Sequence, residues 1–243
     1  MFHQNADAIY APRNRIVWYA LAFQGGFVNI LGFLAVHRFV SHVTGFAGRF
    51  AFSLYEVKYT DALAAFFIPV FFLIGSTVSG FFTEVRREKG QAPIYIISMI
   101  SMSLVFATLG ILGVNGSLGI FGEPFESFHD FILLAALSFT CGMQNALFTS
   151  ASGAVVRTTH LTGITTDLGI GIAKILNRQG HDIEYQSNWL RIGIIVSFLV
   201  GSLIGVVIIQ QIKYLSFFIP AVLSLIIAFK LYHTRKEIES KKL

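Results

Sequence analysis

Charge is scarce in this chain. Only 13% of its 243 residues are Asp, Glu, Lys or Arg, about half the share of an ordinary soluble domain (~25%). Cysteine is nearly absent. Cys141 is the only one, which excludes an internal disulfide and any cysteine-based metal centre. It sits in an apolar run and reads as a small buried residue. Zinc-finger spacing, a phosphate-binding glycine loop, an HExxH pair and an aromatic-basic RNA motif are all missing. The net charge of +5 therefore does not indicate nucleic acid. The basic residues stand in short clusters between apolar runs, as membrane topology signals do.

What is abundant is apolar surface. Hydrophobic residues make up 54% of the chain, 25 of them Phe, and the mean hydropathy is +0.68. One domain of this size cannot hide that much apolar area from water, so lipid must cover part of it. The sequence reads as one all-α membrane domain over residues 1–243. The segment before Ile16 is mixed and polar, and the run after it is too long for a removable signal peptide.

A spanning helix needs about 20 mostly apolar residues. Six stretches qualify: Ile16–Val36, Ala62–Phe82, Pro93–Gly113, Phe128–Thr149, Trp189–Ile209 and Tyr214–Leu231. Phe39–Tyr55 and Thr158–Leu176 are weaker, being Gly-rich with His and a charge inside the pattern. They read as re-entrant or half-spanning segments, because irregular backbone at membrane depth is tolerated only where protein buries it. Arg13 and Arg15, then Arg86, Arg87 and Lys89, then Lys230 to Lys242 form the basic clusters. Six spans put all of them on one side and the acidic connection with Glu123 and Glu126 on the other. Both termini are then cytoplasmic.

The two halves echo each other. Gly26 to Asn29 precedes Ser41-His42-Val43-Thr44-Gly45; Gly142 to Asn145 precedes Thr159-His160-Leu161-Thr162-Gly163. Gly75-Ser76 in the second span answers Gly201-Ser202 in the fifth. The repeats cover about 13–113 and 128–232. Three spans per half is an odd number, so the second half is expected upside down relative to the first. Many secondary transporters share this plan, with broken helices meeting near the bilayer midplane.

The candidate solute- or proton-binding residues are His42, Thr44, Gly45 and Arg49 with His160, Thr162, Gly163 and Asp167. Asn29 and Asn145 are expected to brace the special segments. His is the side chain that changes charge near neutral pH, though a buried His commonly serves only as a hydrogen-bond donor. His42 and Arg49, like His160 and Asp167, are seven apart, which on a helix is one face, roughly 10 Å along the axis. Arg49 and Asp167 are expected to form a buried ion pair across the repeat interface, since an unpaired charge there is costly. Thr44-Gly45 and Thr162-Gly163 suit sharp turns. Gly75, Ser76, Gly201 and Ser202 suit close helix packing.

These paired motifs, Val40 to Gly45 and Arg157 to Gly163 through Asp167-Leu168-Gly169, resemble the YoaK family of bacterial membrane proteins, which have no assigned function. The resemblance spans the first helix to the sixth. It implies a six-helix protein of the bacterial inner membrane and no substrate or catalytic residue. The family typically has a polar residue after the first Thr-Gly, where this chain has Phe46.

The reading is a secondary transporter-like protein moving a small polar solute or proton, partnered by the lipid bilayer, with no cofactor, no resident metal and no nucleic acid. Self-association is left open. Two other classes stay in view: an intramembrane enzyme or metal-binding protein using His42, His160 and Asp167, and a structural or sensory membrane protein.

Overall fold

The computed structural model describes residues 10–152, 161–177 and 182–240. Among the described residues every regular element is a helix. The α-helices are α1 (Pro12–Val36), α2 (Phe46–Tyr55), α3 (Tyr59–Glu88), α4 (Tyr95–Val114), α5 (Phe128–Ala151), α6 (Leu161–Leu176), α7 (Asp182–Ile212) and α8 (Phe218–Ser240). A 3-10 turn, Lys213–Phe217, joins the last two.

Five stretches are long and apolar enough to cross a membrane. The last of them, Asp182–Thr234, takes in α7 and most of α8, so six helices carry these stretches. Five of the six expected runs fall within them, and the sixth, Pro93–Gly113, begins two residues before Tyr95. At 10 residues, α2 is about 15 Å long, shorter than the ~30 Å hydrocarbon layer. The described part of α6 is 16 residues. The helices extend past the apolar runs at several ends, because polar residues there are equally good helix formers.

Local chemistry sets several boundaries. Pro12 stands in the first turn of α1, where its missing N–H costs nothing. That helix stops at His37, which turns left-handed at φ 53°. Ser127 and Asp130 form a reciprocal capping box at the start of α5.

Side-chain contacts fix the helix directions. Trp18 meets Phe148, and Gln24 meets Gln144, so α1 and α5 run antiparallel. Tyr10 meets Ser187 and Gly26 meets Ser202, so α1 and α7 run parallel. Phe67 meets Phe131 and Arg87 meets Ser150, so α3 and α5 are parallel too. A hairpin joins α3 to α4 through Ser79 and Ser98. Ser103 on α4 donates to the Ala221 carbonyl on α8, while Gly110 packs on Phe217 and Phe218, which makes that pair antiparallel. Followed through, these directions bring the start of α1, the α3–α4 turn and the end of α8 to one face. The other face carries the 115–127 connection and the 3-10 turn.

The tightest packing occurs twice. A Cβ on Gly26 would lie 2.0 Å from the Phe198 carbonyl oxygen, and one on Gly142 2.0 Å from that of Phe72. A Cβ on Gly201 would meet the Phe23 oxygen at 2.1 Å, and one on Gly75 the Phe139 oxygen at 2.0 Å. Ser202 Oγ donates to the Gly26 carbonyl and Ser76 Oγ to that of Gly142, each at 3.1 Å. Backbones thus touch directly, as in small-residue crossings of membrane helices. The first helix of each half packs on the second helix of the other half.

A polar junction lies where α1, α5 and α8 meet. Gln24 and Ser224 are fully buried and Gln144 nearly so. Gln24 Nε2 donates to Ser224 Oγ at 2.9 Å and to Gln144 Oε1 at 3.3 Å. Gln144 Nε2 donates to the Leu21 carbonyl at 2.9 Å. Bonds of this kind between helices hold apolar bundles in register.

Candidate functional site

After His37 the chain folds back along α1. Val40 is buried against Gly32. One residue on, Ser41 Oγ donates to Asn29 Oδ1 at 2.8 Å, with both residues buried. This bond holds the chain one turn short of the middle of α1. The ring of His42 leans on Phe39 at 4.9 Å, and Phe39 in turn stacks on Phe33 at 4.7 Å. Gly45 then begins α2 without a side-chain cap.

The second special segment arrives from the opposite end. Along α6, Lys174 reaches Glu184 and Gly171 abuts Asn188 on α7. Continuing that antiparallel register brings Leu161 of α6 level with Phe198. Phe198 is the residue whose carbonyl touches Gly26, the midpoint region of α1.

A cavity of about 230 Å³ opens at this level. Ser41, His42, Val43, Thr44 and Gly45 line it from one segment, Leu161 and Thr162 from the other, and Phe198 from α7. Four of the expected site residues, His42, Thr44, Gly45 and Thr162, therefore share one space. His42 is the titratable side chain in the lining. Gly45, the residue that begins α2, borders it, and the exposed N–H groups of a helix start favour an electron-rich group. Hydroxyls, an imidazole and backbone amides make a polar binding surface without a charged side chain.

Thr44 and Thr162, facing one cavity from different halves, give a direct check. With Cys141 replaced by Ala, the Thr44→Cys/Thr162→Cys double variant is expected to be joined by a short bis-maleimide into a proteolytically inseparable species. Either single variant should not be. Absence of the link in intact membranes would mean that the two segments do not meet.

The other expected residues lie differently. Arg49 on α2 and Asp167 on α6 are both uncovered by protein, and no ion pair joins them. The expected buried Arg49–Asp167 pair is thus not formed. Both side chains lie on the outside of the protein, where matching sequence positions do not bring them together. His42 lies in the turn before α2 rather than on it, so the one-face spacing with Arg49 does not apply. Gly163 is outside the lining. Gly45 has an ordinary negative φ, and a Cβ at Gly45 or Gly163 would meet nothing within 4 Å. No sharp turn or close approach requires these glycines; at Gly45 the missing side chain leaves room in the cavity. His160 lies outside the described residues, and with it the combination His42, His160 and Asp167. Among the described residues no three His, Cys, Asp or Glu side chains gather as a metal site would need. Asn145 lies on α5.

The charge pair sits elsewhere. Arg38 is ion-paired with Asp61 in the first turn of α3. Its guanidinium also donates to the His37 carbonyl at 2.9 Å and lies 5.3 Å from the centre of the Phe125 ring. Burial holds the Arg38 pKa below its ordinary value, and nearby Arg49 adds to this, while Asp61 opposes it. Sequence reasoning missed the pair because charges at helix ends normally belong to the interface. Opposite charges bracketing one special segment were the available signal.

Comparison with known proteins places the chain at the level of a family. The family model described as "Protein of unknown function (DUF1275)" matches residues 17–230. The chain belongs to this family. The DUF1275 match begins in α1 and ends in α8, so it takes in both halves and the whole cavity. No curated protein and no solved structure matches the chain.

Proposed function

We propose that this protein is a secondary transporter-like membrane protein that moves a small polar solute or a proton through the cavity shared by the two His-x-Thr-Gly segments. The observation that carries the reading is the cavity itself. Residues 118 positions apart in sequence, Thr44 and Thr162, line one space of mixed polar and apolar lining level with the crossing of α1 and α7. A short helix, α2, that begins there fits the plan of broken helices around a central solute site.

The duplicated contacts support an inverted repeat. Gly26 on Phe198 matches Gly142 on Phe72, and the Ser202 bond to Gly26 matches that of Ser76 to Gly142. The antiparallel course of α1 and α5 is what an upside-down second copy requires. The Ser41–Asn29 bond is read as the brace of the first segment, and its counterpart at Asn145 as the brace of the second. Arg49 and Asp167, both uncovered, are read as flanking charges that a moving solute meets on the way in or out. Within the family, the paired motifs favour the YoaK-type members of the bacterial inner membrane. The face bearing Arg86, Arg87, Lys89 and the basic tail is read as cytoplasmic, together with both termini.

The test is flux. Purified protein is reconstituted in liposomes containing a pH indicator, and a panel of small amino acids, sugars, carboxylates and amines is added outside. One of these is expected to drive proton movement through the wild type, and His42→Ala should bring it to the level of empty liposomes. Chemical turnover of the same solute in detergent would point to an enzyme instead. Inactivity in both settings would leave a structural or sensory protein.

A further inference from the structure

The 115–127 connection crosses one face of the bundle and is tied down on both sides. Toward the second half, Tyr214 Oη donates to the Leu118 carbonyl at 2.8 Å, and its ring meets Phe121 edge-on at 5.1 Å. Toward the first half, His37 Nε2 lies 3.1 Å from the Gly122 carbonyl oxygen, and the Phe125 ring covers Arg38. Phe125 is itself fixed against Phe131 of α5 at 4.8 Å.

The ion pair under Phe125 has a particular place in the chain. Arg38 stands where the backbone starts down toward the cavity. Asp61 stands just after α2 has climbed back and α3 has begun. Their bond therefore closes the neck of the whole first special segment. Any outward swing of His42 to Gly45 that opens the cavity to this face has to part the two strands of that neck.

Among the described residues, the second half places its ion pairs elsewhere: Lys174 on α6 and Arg191 on α7 both face Glu184. The offset that matches Gly75 with Gly201 sets Ser187 opposite Asp61, and the offset that matches His42 with His160 sets Val156 opposite Arg38. Ser187 instead shares a neutral hydrogen bond of 2.5 Å with Tyr10. Among the described residues, the position that answers Asp61 is thus held by a neutral bond.

We propose that the Arg38–Asp61 pair, roofed by Phe125, is a charge latch that shuts the cavity toward the face carrying the 115–127 connection. The proposal rests on the transport reading and assigns the control of access to that site. Its test is cysteine accessibility, which needs no knowledge of the solute. Val43→Cys is placed in the cavity lining of a Cys141→Ala chain. Labelling by a membrane-impermeant maleimide is then timed in vesicles of both orientations.

Asp61→Asn is expected to raise the labelling rate from the connection face on the order of tenfold, by enlarging the open fraction. The rate from the opposite face should stay unchanged. The charge-reversed Arg38→Asp/Asp61→Arg variant should return the rate to that of the parent, which also answers the concern that Asp61→Asn merely misfolds. An unchanged rate in Asp61→Asn, with Val43→Cys reactive, would overturn the latch and leave the cavity reading standing. An equal rise from both faces would overturn it as well, as general loosening. A Val43→Cys that reacts from neither face in every background would overturn the transport reading itself.

Discussion

Gly142→Ala is expected to destabilise the folded protein by about 3 kcal/mol, the upper end of ordinary overpacking costs, and Gly26→Ala to do the same. In each case the added methyl would stand 2.0 Å from a carbonyl oxygen of the neighbouring helix. That atom is backbone, so it cannot swing away as a side chain would. Relief requires two helices to separate along their most intimate stretch, which also strains the Ser202 and Ser76 bonds beside it. Gly75→Ala and Gly201→Ala face the same obstacle. Gly80, with nothing within 4 Å of its would-be Cβ, is the control: alanine there should be neutral or gain up to ~1 kcal/mol from helix propensity. Thermal unfolding in detergent reads all five. If Gly26→Ala were tolerated and Gly142→Ala were not, the two crossings would not bear equivalent loads, and the repeat reading would lose its main structural support.

Asp61→Asn should cost a comparable amount, about 3 kcal/mol, because it strands the Arg38 guanidinium. The two partners are unequally placed: the Arg38 side chain is 8% exposed and that of Asp61 31%. Water already reaches the carboxylate, so its own loss matters little. Arg38 cannot recover hydration without dislodging Phe125, and its Nε already lacks a partner. The remaining partners, the His37 carbonyl and the Phe125 face, hold the cost at the lower end of the range for a broken buried pair. Replacing both charges, as Arg38→Met/Asp61→Leu, should come close to neutral, since no buried charge is then left over. Unfolding midpoints of the single and double variants separate the two effects. A neutral Asp61→Asn would mean that Arg38 finds solvent after all.

The six long helices were legible because lipid demands continuous apolar runs, and nothing in a soluble core imitates runs that dense. The two special segments were legible for the opposite reason: His42, Arg49 and Asp167 interrupt patterns that are otherwise apolar. The doubled motifs led to the shared cavity at Thr44 and Thr162. The side-chain partnerships were not legible. Sequence symmetry suggested that Arg49 should meet Asp167, yet symmetry fixes only which positions correspond, and the rotation of α2 and α6 decides where their side chains point. Gln24 and Gln144 carry no pattern at all. Each is a single amide in an apolar helix, and only the crossing of α1, α5 and α8 explains it. Arg38 and Asp61 sat where a helix end normally meets water, so their burial depends on Phe125 from a distant connection.

The swapped packing bears on how such a chain is made. Gly26 waits for a partner 176 residues further on. While ribosomes are still adding the middle of the protein, α1 has only lipid against its most tightly fitted side. The α3–α5 crossing can form earlier, since Gly142 and Phe72 are both made by then, but α1 stays half-docked until α7 arrives. A truncated product ending before Asp182 would join α3 to α5 and leave the Gly26 side of α1 facing lipid.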